Sequence, residues 1–117
     1  MDLSLKKAER LRKNSDFLEI YKQAKRLQGR FLLVHFVFNN EERRKAGFVV
    51  SKKVSKKAVI RNRAKRRLRE IYRTNKHCLP ENISVVFTAK PEIVMANYNE
   101  IKEDILKLFE KIANFNN

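Results

Sequence analysis

The chain has 117 residues, of which 28 are Lys or Arg and 13 are Asp or Glu, so its formal net charge is +15. This length suits one domain and is short for two, and a hydrophobic fraction of 43% is enough for a packed core. A single cysteine excludes an internal disulfide and a cysteine-based zinc site. The N-terminal residues lack the apolar segment of a signal peptide, and no run approaches the roughly 20 apolar residues of a membrane span, so we expect a cytoplasmic protein.

The first half of the chain predicts one helix followed by two strands. A helix is predicted over about 16–27, with Asn14 or Ser15 as its cap. Its apolar face is formed at helical spacing by Phe17, Ile20, Tyr21 and Ala24. Residues 31–38 are apolar, aromatic and β-branched, which predicts a mostly buried strand, and residues 46–51 predict a second one. The polar loop 39–45 between them favours an antiparallel hairpin.

The second half predicts a helix, a strand and a final helix. The helix spans about 56–76, and its buried stripe is formed by Ile60, Ala64, Leu68 and Ile71. Residues 83–89 predict a third strand. The last helix opens at Asn97 or Asn99, and its apolar positions are Ile101, Ile105, Leu108 and Ile112. The order α-β-β-α-β-α indicates one α+β domain over 1–117, with helices packed on a small sheet and frayed ends at 1–10 and 114–117.

The distribution of charge points to a nucleic-acid partner. Residues 52–69 contain ten Lys or Arg and no acid. Like charges at this density repel one another, so such a segment is typical of a surface that meets a polyanion. With Ile60 to Ile71 facing the core, a helical wheel places Asn62, Lys65, Arg66, Arg69 and Arg73 on the opposite side. Successive turns there lie roughly 5–6 Å apart, close to the spacing of phosphates along a strand.

The same segment resembles a known family. Ser51-Lys52-Lys53 and the run from Ala58 to Glu70, which contains Arg61-Asn62-Arg63, are similar to the signature of the bacterial ribonuclease P protein subunit and its RNR motif. Three further segments resemble that family in the same order, namely 11–17 followed by Tyr21, 47–53 and 86–91. The resemblance therefore covers about 11–91.

The resemblance implies a function and a fold. In that family the catalyst is an RNA, and the small basic protein assists this ribonucleoprotein endonuclease, a hydrolase, in removing the 5′ leader from precursor tRNA. The implied partners are the ribonuclease P RNA and precursor tRNA, without DNA or a membrane, and the protein alone is expected to be monomeric. Magnesium is expected in the holoenzyme, bound by the RNA, with no metal site or catalytic residue in the protein. The implied fold is that of the second domain of a small-subunit ribosomal protein, with a left-handed βαβ crossover around the RNR helix.

The resemblance also assigns residues to the two RNAs. The residues implied to bind the catalytic RNA are Lys56, Lys57, Arg61, Asn62, Arg63, Lys65, Arg66 and Arg69. Those implied to bind the leader, in a cleft between the first helix and the sheet, are Arg12, Lys13, Phe17, Tyr21, Phe36, Lys52 and Lys53. Family members often place an aromatic residue on the first strand, facing this cleft. This chain has Val34 there in our alignment, so Phe36 or Phe31 is the expected substitute.

Several of these residues also have a purely structural interpretation. Phe17 and Tyr21 lie one turn apart on an apolar helix face, which is typical of core residues as well as of a base-stacking site. His35 is either a satisfied sheet residue or a leader contact. Arg61 and Arg63 flank the two helix faces and either meet phosphates or pair with acids inside the protein.

Three other functional classes remain as alternatives. A structural RNA-binding protein would share the charge and the α+β pattern but would have no substrate cleft. A DNA-binding regulator would use residues 56–76 as a recognition helix, but the strands predicted on either side do not fit a helix-turn-helix. A protein-only nuclease would need clustered carboxylates or an acid–base pair, and no acid lies between Glu42 and Glu70.

Overall fold

The computed structural model describes Leu11, residues 14–39 and residues 43–115. Its helices are α1 (Asn14–Gln23), α2 (Ala58–Asn75) and α3 (Tyr98–Phe115). Its strands are β1 (Lys25–Gln28), β2 (Leu32–Phe38), β3 (Lys45–Val49) and β4 (Ile83–Ala89). Short 3-10 turns at Lys76–Cys78 and Pro91–Met95 precede β4 and α3. The predicted α+β class, with helices on one small sheet, is confirmed.

The strands form a mixed sheet in the order β1-β2-β4-β3. β2 pairs with β1 and β4 in antiparallel fashion, whereas β3 and β4 are parallel and joined through α2, which is the expected βαβ crossover. The antiparallel hairpin predicted between 31–38 and 46–51 is wrong, because β4 lies between these two strands. The reason is burial. Residues 83–87 are all buried, as expected of a central strand, and a strand of this kind needs a neighbour on each side.

The strand β1 was not predicted. The helix expected over about 16–27 ends at Gln23, and the chain then pairs with β2, with Arg26 opposite His35 and Leu27 opposite Val34. Residues 25–28 are mostly exposed and carry a single apolar side chain. Their local pattern therefore gives no strand signal, and pairing with β2 across the turn at Gly29 determines their conformation.

The main core lies between one face of the sheet and the helices α2 and α3. The strand β2 contributes Leu32, Val34 and Phe36, which alternate with partly exposed neighbours. From α2 and α3 come Leu68, Ile71, Tyr72, Ile101, Ile105, Leu108, Phe109 and Ile112. α1 lies against β2 and β4. There Ile20 and Val86 are buried outside the main core, so the sheet separates a large apolar layer from a small one.

The turn between β1 and β2 is held by the carboxylate of Asp104 from α3. The backbone N–H groups of Arg30 and Phe31 donate to it at 2.8 and 2.9 Å. A Cβ on Gly29 would lie 2.6 Å from an oxygen of the same carboxylate, so the close approach requires glycine at this position. Lys90 Nζ also donates to the Gly29 carbonyl at 2.8 Å. These contacts fasten the edge strand β1 to the core.

The three elements predicted in the second half are confirmed. α2 and β4 fall within their predicted ranges. The N–H of Asn97 donates to Glu100 Oε1 and the N–H of Glu100 donates to Asn97 Oδ1, which makes Asn97 the cap of α3. α3 continues through Asn114 and Phe115, past the boundary at which fraying was expected.

Phe36→Ala is predicted to lower the free energy of unfolding by about 3–5 kcal/mol, the usual cost of truncating a core phenylalanine. Phe36 is fully buried, and its ring contacts those of Phe38 and Phe115. Denaturant unfolding measures the effect. Phe115→Ala is the control, because Phe115 is 45% exposed and should cost clearly less. Equal losses for the two variants would contradict the burial of Phe36.

Candidate RNA-binding surface

The helix α2 buries one stripe and exposes the opposite side. Ala64, Leu68, Ile71 and Tyr72 are buried, and Ile60 is half-buried at the start of the stripe. Asn62, Arg63, Arg66 and Arg69 are exposed, and Lys65 and Arg73 are half-buried. The orientation predicted for the basic helix is therefore confirmed.

The arginines of α2 differ in whether the fold already engages them. Arg61 donates to the Ser55 carbonyl at 2.9 Å, Arg67 reaches the Ala96 carbonyl at 3.4 Å, and Arg73 forms an ion pair with Glu70 at 2.6 Å. By contrast, no described residue forms a hydrogen bond or ion pair with the side chains of Arg63, Lys65, Arg66 and Arg69. Hydrogen bonds donated by Arg73 lower the pKa of the Glu70 carboxyl group. The partnerless cations are the ones available to an external anion.

The loop between β3 and α2 presents four of the five lysines of the basic segment 52–69. The N–H of Lys53 donates to Ser51 Oγ and the N–H of Lys57 donates to Ser55 Oγ, so two serine turns order the loop. Val54 is buried and anchors it. The exposed lysines of this loop are Lys52, Lys53, Lys56 and Lys57.

The N-terminus of α2 carries uncompensated positive charge. Its N-cap is Lys57, no side chain caps it, and its first turn contains no acid. The free N–H groups and the helix dipole already favour an anion there, and the adjacent lysines add to that preference. This end of α2 continues the positive surface of the loop.

A recess lies between α1 and α2, along the sheet edge formed by β3. Its volume is about 400 Å³, and it is lined by Leu11, Phe17, Ala46, Gly47, Phe48, Lys65 and Arg69. Phe17 is half-buried, so it is neither a fully buried core residue nor a free surface residue. The backbone N–H of Leu11 donates to the Ala46 carbonyl at 2.9 Å, which brings the N-terminal segment to the same edge.

The rings of Tyr21 and His35 are in contact on the sheet face that α1 covers. Their rings meet edge to face, with centroids 4.9 Å apart, and Tyr21 is 41% exposed. The sequence left His35 open as either a sheet residue or a leader contact, and in the structure it is one of the β2 residues that face this side. A signal was present in the sequence, because His35 is the polar residue that interrupts an otherwise apolar strand.

The expected strand contacts of the cleft are wrong. Phe36 and Val34 are fully buried in the main core, and Phe31 is also buried. Side chains alternate between the two faces of a strand, so β2 cannot present Val34 or Phe36 to α1 while His35 faces it. The alignment placed Val34 at the cleft position that His35 occupies, and a shift of one residue along a strand moves a side chain to the opposite face. The predicted leader residues Arg12 and Lys13 lie outside the described residues.

The described ranges contain no cluster of side chains suited to bind a metal ion. No group of three or more His, Cys, Asp or Glu side chains there is placed to hold an ion. Likewise, none of the helices in the described part of the chain is long and apolar enough to cross a bilayer.

The fold and this surface define a small basic α+β protein built to bind nucleic acid. A family model described as Ribonuclease P matches residues 5–113. The ribonuclease P protein component of Alkaliphilus oremlandii is 40% identical over 108 residues, which cover 92% of this chain and 94% of that protein. That of Caldanaerobacter subterraneus is 36% identical and covers 90% of each chain.

Solved structures agree with the sequence comparison. The ribonuclease P protein of Thermotoga maritima superimposes with a TM-score of 0.81 at 34% identity, covering 89% of this chain and 97% of that one. The Staphylococcus aureus protein gives 0.78 at 30% identity, covering 92% and 99%. The chain belongs to the ribonuclease P protein family. It is therefore the protein component of a tRNA-processing endoribonuclease, and its partner is the ribonuclease P RNA.

His35 is predicted to make stability depend on pH. Burial of the ring, and then the nearby Arg26 guanidinium, lower the pKa of His35. The folded state thus binds the proton less tightly than the unfolded state, whose pKa is about 6.5. The resulting stability is complete above that value and is lost as the pH falls through the folded pKa.

The free energy of unfolding of the wild type should therefore decrease as the pH falls below about 6.5, and His35→Gln should reduce this decrease. Denaturant unfolding at several pH values provides the measurement. His77→Gln, at the exposed second histidine, is the matched control and should retain the wild-type profile. An unaltered profile for His35→Gln would contradict the prediction.

Proposed function

We propose that the chain binds the catalytic RNA through the exposed side of α2 and the 5′ leader of precursor tRNA through the α1 side of the sheet. By holding both RNAs it assists magnesium-dependent endonucleolytic removal of the leader, which gives the mature 5′ end of the tRNA. The observation that carries this proposal is the partnerless set of cations on α2, directly beside an aromatic recess.

Electrostatics supports the assignment of α2 to the catalytic RNA. Arg63 and Arg66 are exposed on adjacent turns, and Asn62 is exposed beside them, so a phosphate backbone along the helix meets charge and a neutral hydrogen-bonding group. The guanidinium fork can donate two hydrogen bonds to one phosphate. Lys56 and Lys57 extend this surface at the helix N-terminus, and Arg61, although it donates to Ser55, holds the loop that carries them.

Aromatic exposure supports the assignment of the α1 side to the leader. Phe17 and Tyr21 lie one turn apart, and neither is fully buried. Stacking of an unpaired base on such a ring contributes about 1–3 kcal/mol and tolerates different base identities, which suits a leader of variable sequence. Lys52 and Lys53 lie in the loop that follows β3 and would supply positive charge for the leader phosphates.

Magnesium is proposed to be held by the RNA. The described carboxylates are scattered, and the basic segment would repel a cation, so this chain offers charge neutralisation rather than metal ligands. Its contribution would be to lower the repulsion between substrate and catalytic RNA and to position the leader, while the chemical step remains with the RNA.

The proposal is tested by reconstitution. Purified protein is mixed with a bacterial ribonuclease P RNA and 5′-labelled precursor tRNA at low magnesium concentration, and leader release is followed. We expect strong stimulation by a stoichiometric amount of protein, because the cations replace part of the screening that magnesium supplies. An unrelated protein of equal charge is the control. Folded, RNA-binding protein without stimulation would favour the structural RNA-binding alternative.

Arg66→Ala is predicted to weaken binding to the catalytic RNA and to flatten its salt dependence. Each lost phosphate contact should reduce the slope of log K against log salt by about 0.7–0.9. Lys107→Ala, at an exposed position on α3, removes the same charge elsewhere and should leave the slope unchanged. If both variants change the slope equally, the effect comes from net charge, and Arg66 is not a phosphate contact.

A further inference from the structure

A small groove runs between α2 and the 3-10 turn Pro91–Met95. Its volume is about 80 Å³, and most of its lining is apolar and comes from these two elements and the first turn of α3. Arg63 and Arg67 line it from α2, and Val94 lines it from the turn. The recess beside β3 uses α2 residues two positions away, and two positions turn a helix by about 200°. The groove therefore lies on the opposite flank of α2 from the recess.

Two exposed apolar side chains border the groove. Val59 is 75% exposed and Met95 is 90% exposed, more than any other large hydrophobic residue in the described part of the chain. Val59 lies one turn before Arg63 on α2, so the two are neighbours on one helix face, and Met95 directly follows Val94. Single apolar side chains are common at surfaces, but two of them beside one apolar groove form a patch typical of an interaction site.

The size and lining of the groove suit an aliphatic side chain. Sites for small molecules usually have volumes of about 300–1,000 Å³, so a groove of about 80 Å³ holds a much smaller group. No lining residue is aromatic, whereas unpaired bases bind by stacking on aromatic rings. Insertion of an apolar side chain into a groove is a common way for one protein segment to bind another.

The charges around the groove differ between its two sides. Arg63 and Arg67 are one turn apart on α2, and no carboxylate lines the groove. Arg67 reaches only the Ala96 carbonyl, at 3.4 Å, so no described carboxylate neutralises its charge. Glu92 is exposed on the turn, three residues before Met95, and residues three apart lie on the same side of a 3-10 helix. A phosphate backbone laid across the groove would meet this carboxylate, whereas a single carboxylate placed against α2 would not.

We propose that the groove is a docking site for a partner protein, which inserts one aliphatic side chain beside Val94 and places an adjacent carboxylate against Arg63 and Arg67. The inference goes beyond the proposed function, because it adds a protein to the assembled ribonucleoprotein. Arg63 lies between the groove and the outer side of α2, so the partner binds beside the catalytic RNA and not in its place. A second copy of this chain fits poorly, because each copy carries a net charge of +15.

The experiment titrates the reconstituted holoenzyme with a fluorescently labelled peptide and follows its anisotropy. The peptide has roughly ten residues, the length of a short groove-binding segment, with one leucine beside two glutamates. A control peptide has serine in place of leucine and therefore the same charge, which separates docking from the attraction of any acidic peptide to a basic protein. We expect the leucine peptide to bind about tenfold more tightly, the effect of burying one aliphatic side chain.

Variants of the protein locate the bound peptide. Met95→Ser and Val94→Ser should each remove most of the preference for the leucine peptide. Met95 is 90% exposed, so its replacement leaves the fold intact. Leu18→Ser is the matched control, because it removes an aliphatic side chain that is 60% exposed on α1, and it should bind as the wild type does. None of these three variants should change leader release. Arg67→Gln should weaken binding of the glutamate peptide and leave a glutamine version unaffected.

Each of the other results overturns the inference. Equal affinities for the leucine and serine peptides would show that the groove holds no side chain, and equal effects of Met95→Ser and Leu18→Ser would place the peptide elsewhere. If Met95→Ser lowers affinity for the catalytic RNA or slows leader release, RNA occupies the groove. Sedimentation of the free protein tests the remaining occupant, since self-association that Met95→Ser abolishes would assign the groove to a second copy.

Discussion

The parallel pairing of β3 with β4 determines how the helices and the edge strand are placed relative to one another. Parallel neighbours cannot be joined by a tight turn, so the connection must cross one face of the sheet, and α2 is that crossover. The crossover leaves β3 at the sheet edge and brings α2 past it. The basic helix, the edge strand and α1 can then share one recess, although their residues come from distant parts of the chain.

The fold tolerates the positive charge of α2 because some of its arginines form hydrogen bonds within the protein. Carbonyls at Ser55 and Ala96 and the carboxylate of Glu70 engage three of the arginines, so those side chains stabilise the loop, the turn before α3 and the helix itself. The remaining cations repel one another without compensation in the described part of the chain. A polyanion relieves that repulsion when it binds, which couples RNA binding to the stability of α2.

Sequence patterns predicted the elements that have strong apolar periodicity. The stripes of α2 and α3 and the apolar run of β4 follow directly from which residues must be buried. The pairing of the strands could not be predicted in the same way, since an apolar run does not specify its neighbours. β1 was not predicted because its extended conformation is determined by hydrogen bonds to β2 rather than by the pattern of its own side chains. The candidate site was predicted in part. The basic residues were found by charge, but strand register decided that His35 rather than Phe36 faces α1, and register is a tertiary property.

Phe17 combines the two interpretations that the sequence left open, a core residue and a cleft residue, because its side chain is half-buried. A ring that stacks on a base must be held still, and the means available here is packing against a backbone that lacks a side chain. The contact with Gly47 therefore buries one part of Phe17, as a core residue would be buried, and orients the rest towards the recess. A purely exposed aromatic residue would lose side-chain freedom on binding, and a fully buried one could not bind at all. Partial burial against the edge strand β3 satisfies both requirements.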